Sequence, residues 1–472
     1  MIIRTSFRLF YVVLLCMPLA LCSQSFYFGA DLSYVNEMEA CGVVYQENQI
    51  EKDPYQIFAD HNCNLVRLRL WHTPSWYDDL NSGQRFSDFQ DVKQSIARAK
   101  SHGMSVLLDF HLSDNWADPS KQLVPAAWLG VVNDLPKLQD SLYAYITSTL
   151  LDLHAEDLLP EMVQIGNETN KGILLSPEDN ATWTLDWERN SQLFNTAFSA
   201  VEAVEIITGK DIKTAIHIAG PDASDWLVEG FIANGVTGFE VIGLSYYWAW
   251  HQPTTIQQTG TIIQDLKQTF PDKEVILFET GYIWTWDSND NANNIINEVH
   301  PNYSPPSPTA QRDWLIDLTE EVITSGGNGV IYWEPAWVSS NCWTQWGQGS
   351  HQEHATFFDF NNNLIEDGGI SWMEANYPTS TVEAEPTKLK VYLDQDHSNL
   401  IVQMEPITID SNALLQISNL EGQTINRLKI SSLNKTENGF SSPWPNLPNG
   451  IYLISIIQNG KTSLSTKLST IK

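Results

Sequence analysis

Val163-Gln164-Ile165-Gly166-Asn167-Glu168-Thr169-Asn170 is the stretch on which the reading of this chain turns. Val163 and Ile165, with Met162 before them, suit a short buried strand, which then meets a glycine and a block of polar side chains. A buried strand that stops at Asn-Glu sets a carboxylate at the mouth of a barrel or the edge of a sheet, where parallel α/β folds keep their chemistry. Taken alone, the stretch reads more simply as a strand end followed by a solvated loop glutamate. A second stretch of the same design, Val275-Ile276-Leu277-Phe278-Glu279-Thr280-Gly281-Tyr282, shifts the balance towards a paired site.

Around these two stretches, short apolar runs alternate with helix-like segments, the pattern of βα units on a parallel sheet. Strands are expected at Tyr27–Asp31, Leu65–Trp71, Ser105–His111, Met162–Asn167, Lys213–Ala219, Val241–Tyr247, Glu274–Glu279 and Gly329–Glu334. Apolar residues at three- and four-residue spacing predict helices over Gln90–His102, Leu138–His154, Arg189–Thr208, Ile256–Thr269 and Ala310–Ser325. Eight strands with intervening helices point to an α/β fold, a (β/α)8 TIM barrel, over 26–377. A doubly wound open sheet is the alternative, but no glycine-rich phosphate fingerprint follows the first strand. The polar residues fall where these strands end: Arg67 and Arg69, Asp109 and His111, Asn167 and Glu168, His217, Tyr246 and Tyr247, Glu279, and Trp333 with Glu334. On a barrel those ends share one rim.

The formal charge of −31 over 472 residues argues against nucleic acid or an anionic surface as partner and favours a neutral ligand. Residues 1–25 read as an export signal: Arg4 and Arg8, then an apolar Leu9–Leu21 too short to span a bilayer, then small residues. No later segment is apolar enough to be transmembrane, so an extracellular or cell-surface monomer is expected. Lipid anchoring at Cys22 is disfavoured because Leu21 stands where a small residue is needed. Cys41, Cys63 and Cys342 form no zinc spacing, and Cys41 with Cys63 is a candidate pair in an oxidising compartment. From Pro378 the composition changes. Residues 378–386 read as a linker, and the alternating runs across 387–472, with a Pro448-Asn449-Gly450 turn, read as a small all-β sandwich.

Two strand-end glutamates are the equipment of glycoside hydrolysis, one protonated to donate to the leaving oxygen and one ionised to attack or to activate water. With Arg69 as its cation and Tyr246 or Tyr247 as donor, Glu279 is expected to keep a low pKa and act as nucleophile. Glu168 is expected to have a raised pKa and to serve as acid, then base. Many of the 18 tryptophans lie after strand ends, where indole faces can stack on pyranose rings. Trp333 and one or two of Trp116, Trp248 and Trp250 are the choices for substrate contact. Asp109, Asp114 and Glu334 are competing carboxylates for which bonding an arginine or backbone is the simpler role.

Residues 26–376 resemble glycoside hydrolase family 53, endo-β-1,4-galactanases of the clan of retaining (β/α)8 glycosidases. The likeness rests on Phe28–Ser33, Val66–Trp71, Asp109–Pro119, Gln164–Glu168, Gly243–Tyr247, Glu279–Tyr282 and Tyr332–Trp337. It implies Glu168 as acid/base, Glu279 as nucleophile, Asn167 near the 2-hydroxyl of the reacting sugar and Trp333 beneath it. The implied substrate is β-1,4-galactan or its oligosaccharides, with no cofactor for the chemistry. The expected substrate contacts are Arg69, Asp109, His111, Trp116, Asn167, His217, Tyr247, Trp248, Trp250 and Trp333. Where many relatives have proline after Ser-Tyr-Tyr, this chain has Trp248. Some relatives bind structural calcium in the loop after the nucleophile strand, and Asp287, Asn291 and Asn293 stand at similar spacing here. The run Asn446–Leu453 looks like the C-terminal sorting domains of type IX secretion substrates. Action on β-mannan or β-glucan and non-catalytic carbohydrate binding are the competing readings.

Overall fold

A computed structural model describes residues 26–377 apart from Trp183, and, beyond them, 390–394, 398–403, 413–419, 424–436, 439–445, 447–448, 450–458 and 461–470. The expected export signal and linker lie outside these residues. The chain divides into two compact units between Tyr377 and Pro378.

The first unit is a closed parallel barrel whose spatial order follows chain order. Its strands are β1 (Tyr27–Asp31), β2 (Leu65–Leu70), β3 (Ser105–Phe110), β4 (Met162–Ile165), β5 (Lys213–Ala219), β6 (Val241–Ser245), β7 (Glu274–Thr280) and β8 (Gly329–Tyr332). Covered on both faces, such strands are apolar over most of their length, which is why they were legible as short hydrophobic runs. The main outer helices are α1 (Pro54–Asp60), α2 (Phe89–Ser101), α3 (Leu135–Ala155), α4 (Trp187–Thr208), α5 (Ser224–Ala233), α6 (Ile256–Thr269) and α7 (Pro308–Thr324). Asp88, Asp134, Asp186, Thr255 and Ser307 each accept a first-turn N–H and so fix where α2, α3, α4, α6 and α7 begin. Helices α1 and α5 were not anticipated; each is too short for its periodicity to stand out.

The barrel interior is layered. Leu65, Leu107, Met162, Ala215, Val241, Ile276, Phe278 and Ile331 form one apolar floor. Two residues further along β2, β3, β4 and β5 come Arg67, Asp109, Gln164 and His217, all buried, so the layer above the floor is polar. Gly243 makes room for the floor: a Cβ there would lie 2.1 Å from the Phe278 ring.

Strand β7 carries an irregularity that matters for the site. Its pairing with β6 steps from Leu244↔Leu277 to Ser245↔Glu279, leaving Phe278 as an extra residue. Ile276 and Phe278 both belong to the interior floor. Strict alternation would turn Glu279 outward, whereas the bulge aims it inward as well.

Cys41 forms its disulfide with Cys342 across 301 residues, and Cys63 is buried and free. This corrects the Cys41–Cys63 pairing. Ring closure makes β1 and β8 neighbours, so the segments that follow them meet, while the Cys63 thiol is buried with its Sγ on the Leu65 carbonyl.

The second unit contains two antiparallel sheets. One orders Lys390–Leu393, Asn399–Gln403, Gly439–Pro443 and Asn434–Thr436; the other orders Thr424–Lys429, Leu414–Ser418, Gly450–Gln458 and Lys461–Thr470. Leu400, Val402, Leu415, Ile417, Phe440, Ile454 and Ile456 share one core.

Candidate active site

Arg67, buried on β2, organises the polar layer. Its Nε donates to Gln164 Oε1 at 3.0 Å, Nη1 to Asp31 at 2.8 Å, and Nη2 to Asp109 at 3.2 Å and Asn167 Oδ1 at 2.7 Å, while Nη1 also forms an ion pair with Glu279 Oε1 at 2.8 Å. Four hydrogen bonds and one ion pair thus surround the guanidinium with five oxygens. The cation of Glu279 is therefore Arg67, not Arg69. Two residues along the strand, Arg69 donates instead to Glu334 at 3.1 Å and to Ser87, and its guanidinium lies over the rings of Tyr34, Trp71 and Trp116 at 4.7, 4.3 and 4.1 Å. Tyr247, rather than Tyr246, donates to Glu279, at 3.2 Å; the Tyr246 hydroxyl goes to the Thr254 carbonyl.

Glu168 follows the end of β4 with a left-handed backbone (φ 47°), just past Gly166 at φ 75°. A side chain at Gly166 would collide with Thr169 and Ile173. Burial raises the Glu168 carboxyl to about 8, with the charge of Glu279 adding to the rise. Burial also raises Glu279, to about 7, against the pull of Arg67. The low value expected for Glu279 is thus corrected: desolvation outweighs its cation. The order survives, because Arg67 contacts Glu279 directly, so Glu279 ionises before Glu168. His217, buried between Gln164, Asn167 and Ser245, is held neutral by burial and by Arg67.

Both carboxylates line one cavity of about 490 Å³, within the usual span for ligand pockets. Of the expected contacts, Trp116, Asn167, Tyr247, Trp250 and Trp333 line it too. Arg69, Asp109, His111, His217 and Trp248 do not. Asp109 takes N–H groups from Arg67 and Gln164 and contacts His111 Nδ1 at 2.7 Å, while His111 Nε2 accepts the Ala117 amide. Trp248 turns to His300. Asp118, His251, Trp337, Trp346 and His351 line the cavity and were missed as contacts; only the position of Trp337 and Trp346 after the last strand hinted at them. Asp114 caps loops through the Thr73 and Ala126 amides.

The loop after β7 does not fit a calcium ion. Asp287, Asn291 and Asn293 are all exposed, with the Asn291 amide turned to Gln348. The carboxylates that do turn inward there, Asp290 and Glu353, are occupied by N–H and O–H donors from Ala292, Ser350, Asn289 and Ser339.

A closed parallel barrel with two unlike carboxylates at the C-terminal rim, one on an arginine and one raised by burial, defines a carboxylate-pair glycosidase of the (β/α)8 class. Residues 27–367 match the family described as glycosyl hydrolase family 53, and the chain belongs to that family. It is 45% identical over 359 residues to an arabinogalactan endo-β-1,4-galactanase of Cellvibrio japonicus, covering 75% of this chain and 92% of that protein. It is 32% identical over 357 residues to the endo-β-1,4-galactanase of Bacillus subtilis, covering 71% and 78%. Among solved structures, the GH53 catalytic domain of Ignisphaera aggregans superposes with a TM-score of 0.67 at 31% identity, over 75% of this chain and 97% of that one.

Proposed function

We propose that this protein hydrolyses β-1,4-galactan internally, with retention, using Glu279 as nucleophile and Glu168 as acid/base. The observation that carries this reading is the asymmetry of the two carboxylates in one cavity. In the first step Glu168 gives its proton to the glycosidic oxygen while Glu279 attacks the anomeric carbon, forming a galactosyl ester and freeing the shorter chain. In the second, Glu168 takes a proton from water, the hydroxyl adds to the anomeric carbon, and Glu279 leaves as carboxylate. Two inversions give retention. Tyr247 and Arg67 hold the attacking oxygens, and the indoles of Trp116 and Trp333 supply apolar faces for the sugar. Galactan as the substrate is supported by the named activities of the relatives. The chemistry calls for no cofactor. Residues 1–25 serve as an export signal, which fits a polymeric substrate outside the cell.

Release of reducing ends from β-1,4-galactan, β-mannan and cello-oligosaccharides, with NMR of the first anomer formed, tests the proposal. Galactan cleavage with the β-anomer appearing first is expected. Exclusive mannan or glucan cleavage would reject the substrate, an α-anomer would reject the mechanism, and binding without hydrolysis would reject both.

A further inference from the structure

The cavity has two unlike walls, and the mechanism above uses one of them. Trp116 and Trp333 face it from the segments after β3 and β8. In ring order β5 and β6 stand between β4, which leads to Glu168, and β7, which carries Glu279. The segments after β5 and β6 bring Ala219, Trp250 and His251 to the cavity. Trp250 is 46% exposed, so much of its indole is open, and its ring centroid lies 4.4 Å from that of Tyr247. The backbone beneath it is pinned. Trp248–His251 form a single helical turn, in which the Trp250 and His251 amides donate to the Tyr247 carbonyl at 3.2 and 3.0 Å. In return the Tyr247 amide donates to His251 Nδ1 at 2.9 Å. Burial lowers His251 to about 4, so the ring stays neutral and keeps an acceptor for that amide. Gly220 lets the ring lie close, since a Cβ there would come within 3.1 Å of it.

We propose that Trp250 is the platform for the sugar on the leaving-group side of the cleaved bond. The inference rests on the functional reading above. Two physical points carry it. Attack is in line, so Glu279 and the departing oxygen lie on opposite sides of the anomeric carbon, with Glu168 at the departing oxygen. With the galactosyl ring on the Trp116 and Trp333 wall, the departing sugar continues over the other wall, where Trp250 offers the apolar ring. The indole is also set before substrate arrives, because its turn is closed on Tyr247, so stacking a sugar on it costs little ordering. By reversibility the same platform receives an acceptor sugar in the second step. The acceptor's 4-hydroxyl oxygen then bonds to the anomeric carbon, its proton passes to Glu168, and Glu279 leaves as carboxylate. The Tyr247 hydroxyl donates to Glu279, so the ring behind the platform also touches the nucleophile, and the test must separate the two roles.

The test compares Trp250→Ala and Trp250→Phe with wild type on galactan and on β-galactobiosyl fluoride, whose leaving group is a fluoride ion that needs no sugar platform. A 2-deoxy-2-fluoro version of the fluoride releases one fluoride per competent site, so rates refer to folded enzyme. In Trp250→Ala the ratio of kcat/KM on galactan to that on the fluoride should fall about tenfold, the scale of one aromatic contact. Trp250→Phe should restore most of it. With the fluoride as donor and galactobiose as acceptor, wild type should form galactotetraose. The share of turnovers passing to tetraose rather than to water should fall about tenfold in Trp250→Ala. An unchanged ratio would overturn the proposal, as would wild type that forms no tetraose at high galactobiose. An equal fall on both substrates would also overturn it, marking a disturbed Tyr247 or a contact on the galactosyl side. Failure of the functional reading looks different: wild type then hydrolyses neither galactan nor the fluoride.

Discussion

Arg67 and Arg69 stand two residues apart on one strand, both buried, each paired with a glutamate at the end of a later strand. Arg67 meets Glu279, which lines the cavity. Arg69 meets Glu334, which is 0% exposed and shut off from it. Arg67 meets five oxygens, four by hydrogen bond and Glu279 as an ion pair, while Arg69 is covered by three aromatic rings and its Nε–H faces no acceptor. The same pair of residue types thus serves chemistry in one layer and cohesion in the next. What separates them is whether the carboxylate has an open face, and local sequence does not encode that.

Removing each carboxylate in turn should have opposite effects on activity and stability. Glu279→Gln should lose about four orders of magnitude of turnover on galactan, the scale seen when a covalent catalyst is deleted, with an unaltered melting curve. Glu334→Ala should do the reverse. It strands the buried Arg69 and costs about 3–5 kcal/mol of stability, read in denaturant melts, while turnover per folded molecule stays within about tenfold. If Glu334→Ala abolished turnover in folded protein, the division between the two layers would be wrong.

The Cys41–Cys342 bond tests the closure of the barrel that brings the two arginines' partners around. The double change Cys41→Ser with Cys342→Ser should lower stability by about 2–4 kcal/mol, seen as a lower melting temperature, with little effect on kcat at 20 °C or so. An unchanged melt would show that the β1 and β8 segments hold together without it.

These contrasts also mark where reading the sequence succeeds and where it stops. The barrel strands were legible to within about two residues because burial on both faces forces apolar runs. Glu168, Asn167 and Trp333 were legible because polar or aromatic residues stand where those runs end. Glu279 stood out for the same reason, yet the alternation that picks a facing side would have sent it outward; the bulge at Phe278 that turns it inward leaves no mark in composition. Choosing Arg69 over Arg67 failed likewise, because their difference is a matter of layer height. The cysteine pairing depends on ring closure, a property of the whole chain. Asp118 and His351 come from loops and His251 from a four-residue helix (Trp248–His251), all too short for any periodicity to announce them.

The smallest expected effect is also the one that most directly separates the arginines. Arg67 favours the ionised form of Glu279, and burial opposes it. In Arg67→Lys a single ammonium replaces a planar fork that serves five acceptors, so part of that favour is lost and the Glu279 pKa rises further. Attack requires the ionised form, so activity must be lost at a higher pH as the solution is acidified. The acid limb of kcat/KM on galactan should therefore shift upward, and the plateau should fall about ten- to a hundredfold, the worth of one or two charge-assisted hydrogen bonds. Arg69→Lys changes the cation of Glu334 and leaves Glu279 with its own, so its acid limb should coincide with that of wild type even where its melting temperature is lower. If the two variants shifted the limb equally, the proton affinity of the nucleophile would be set by the summed charge of the barrel, and the contact between Arg67 and Glu279 would lose its special place.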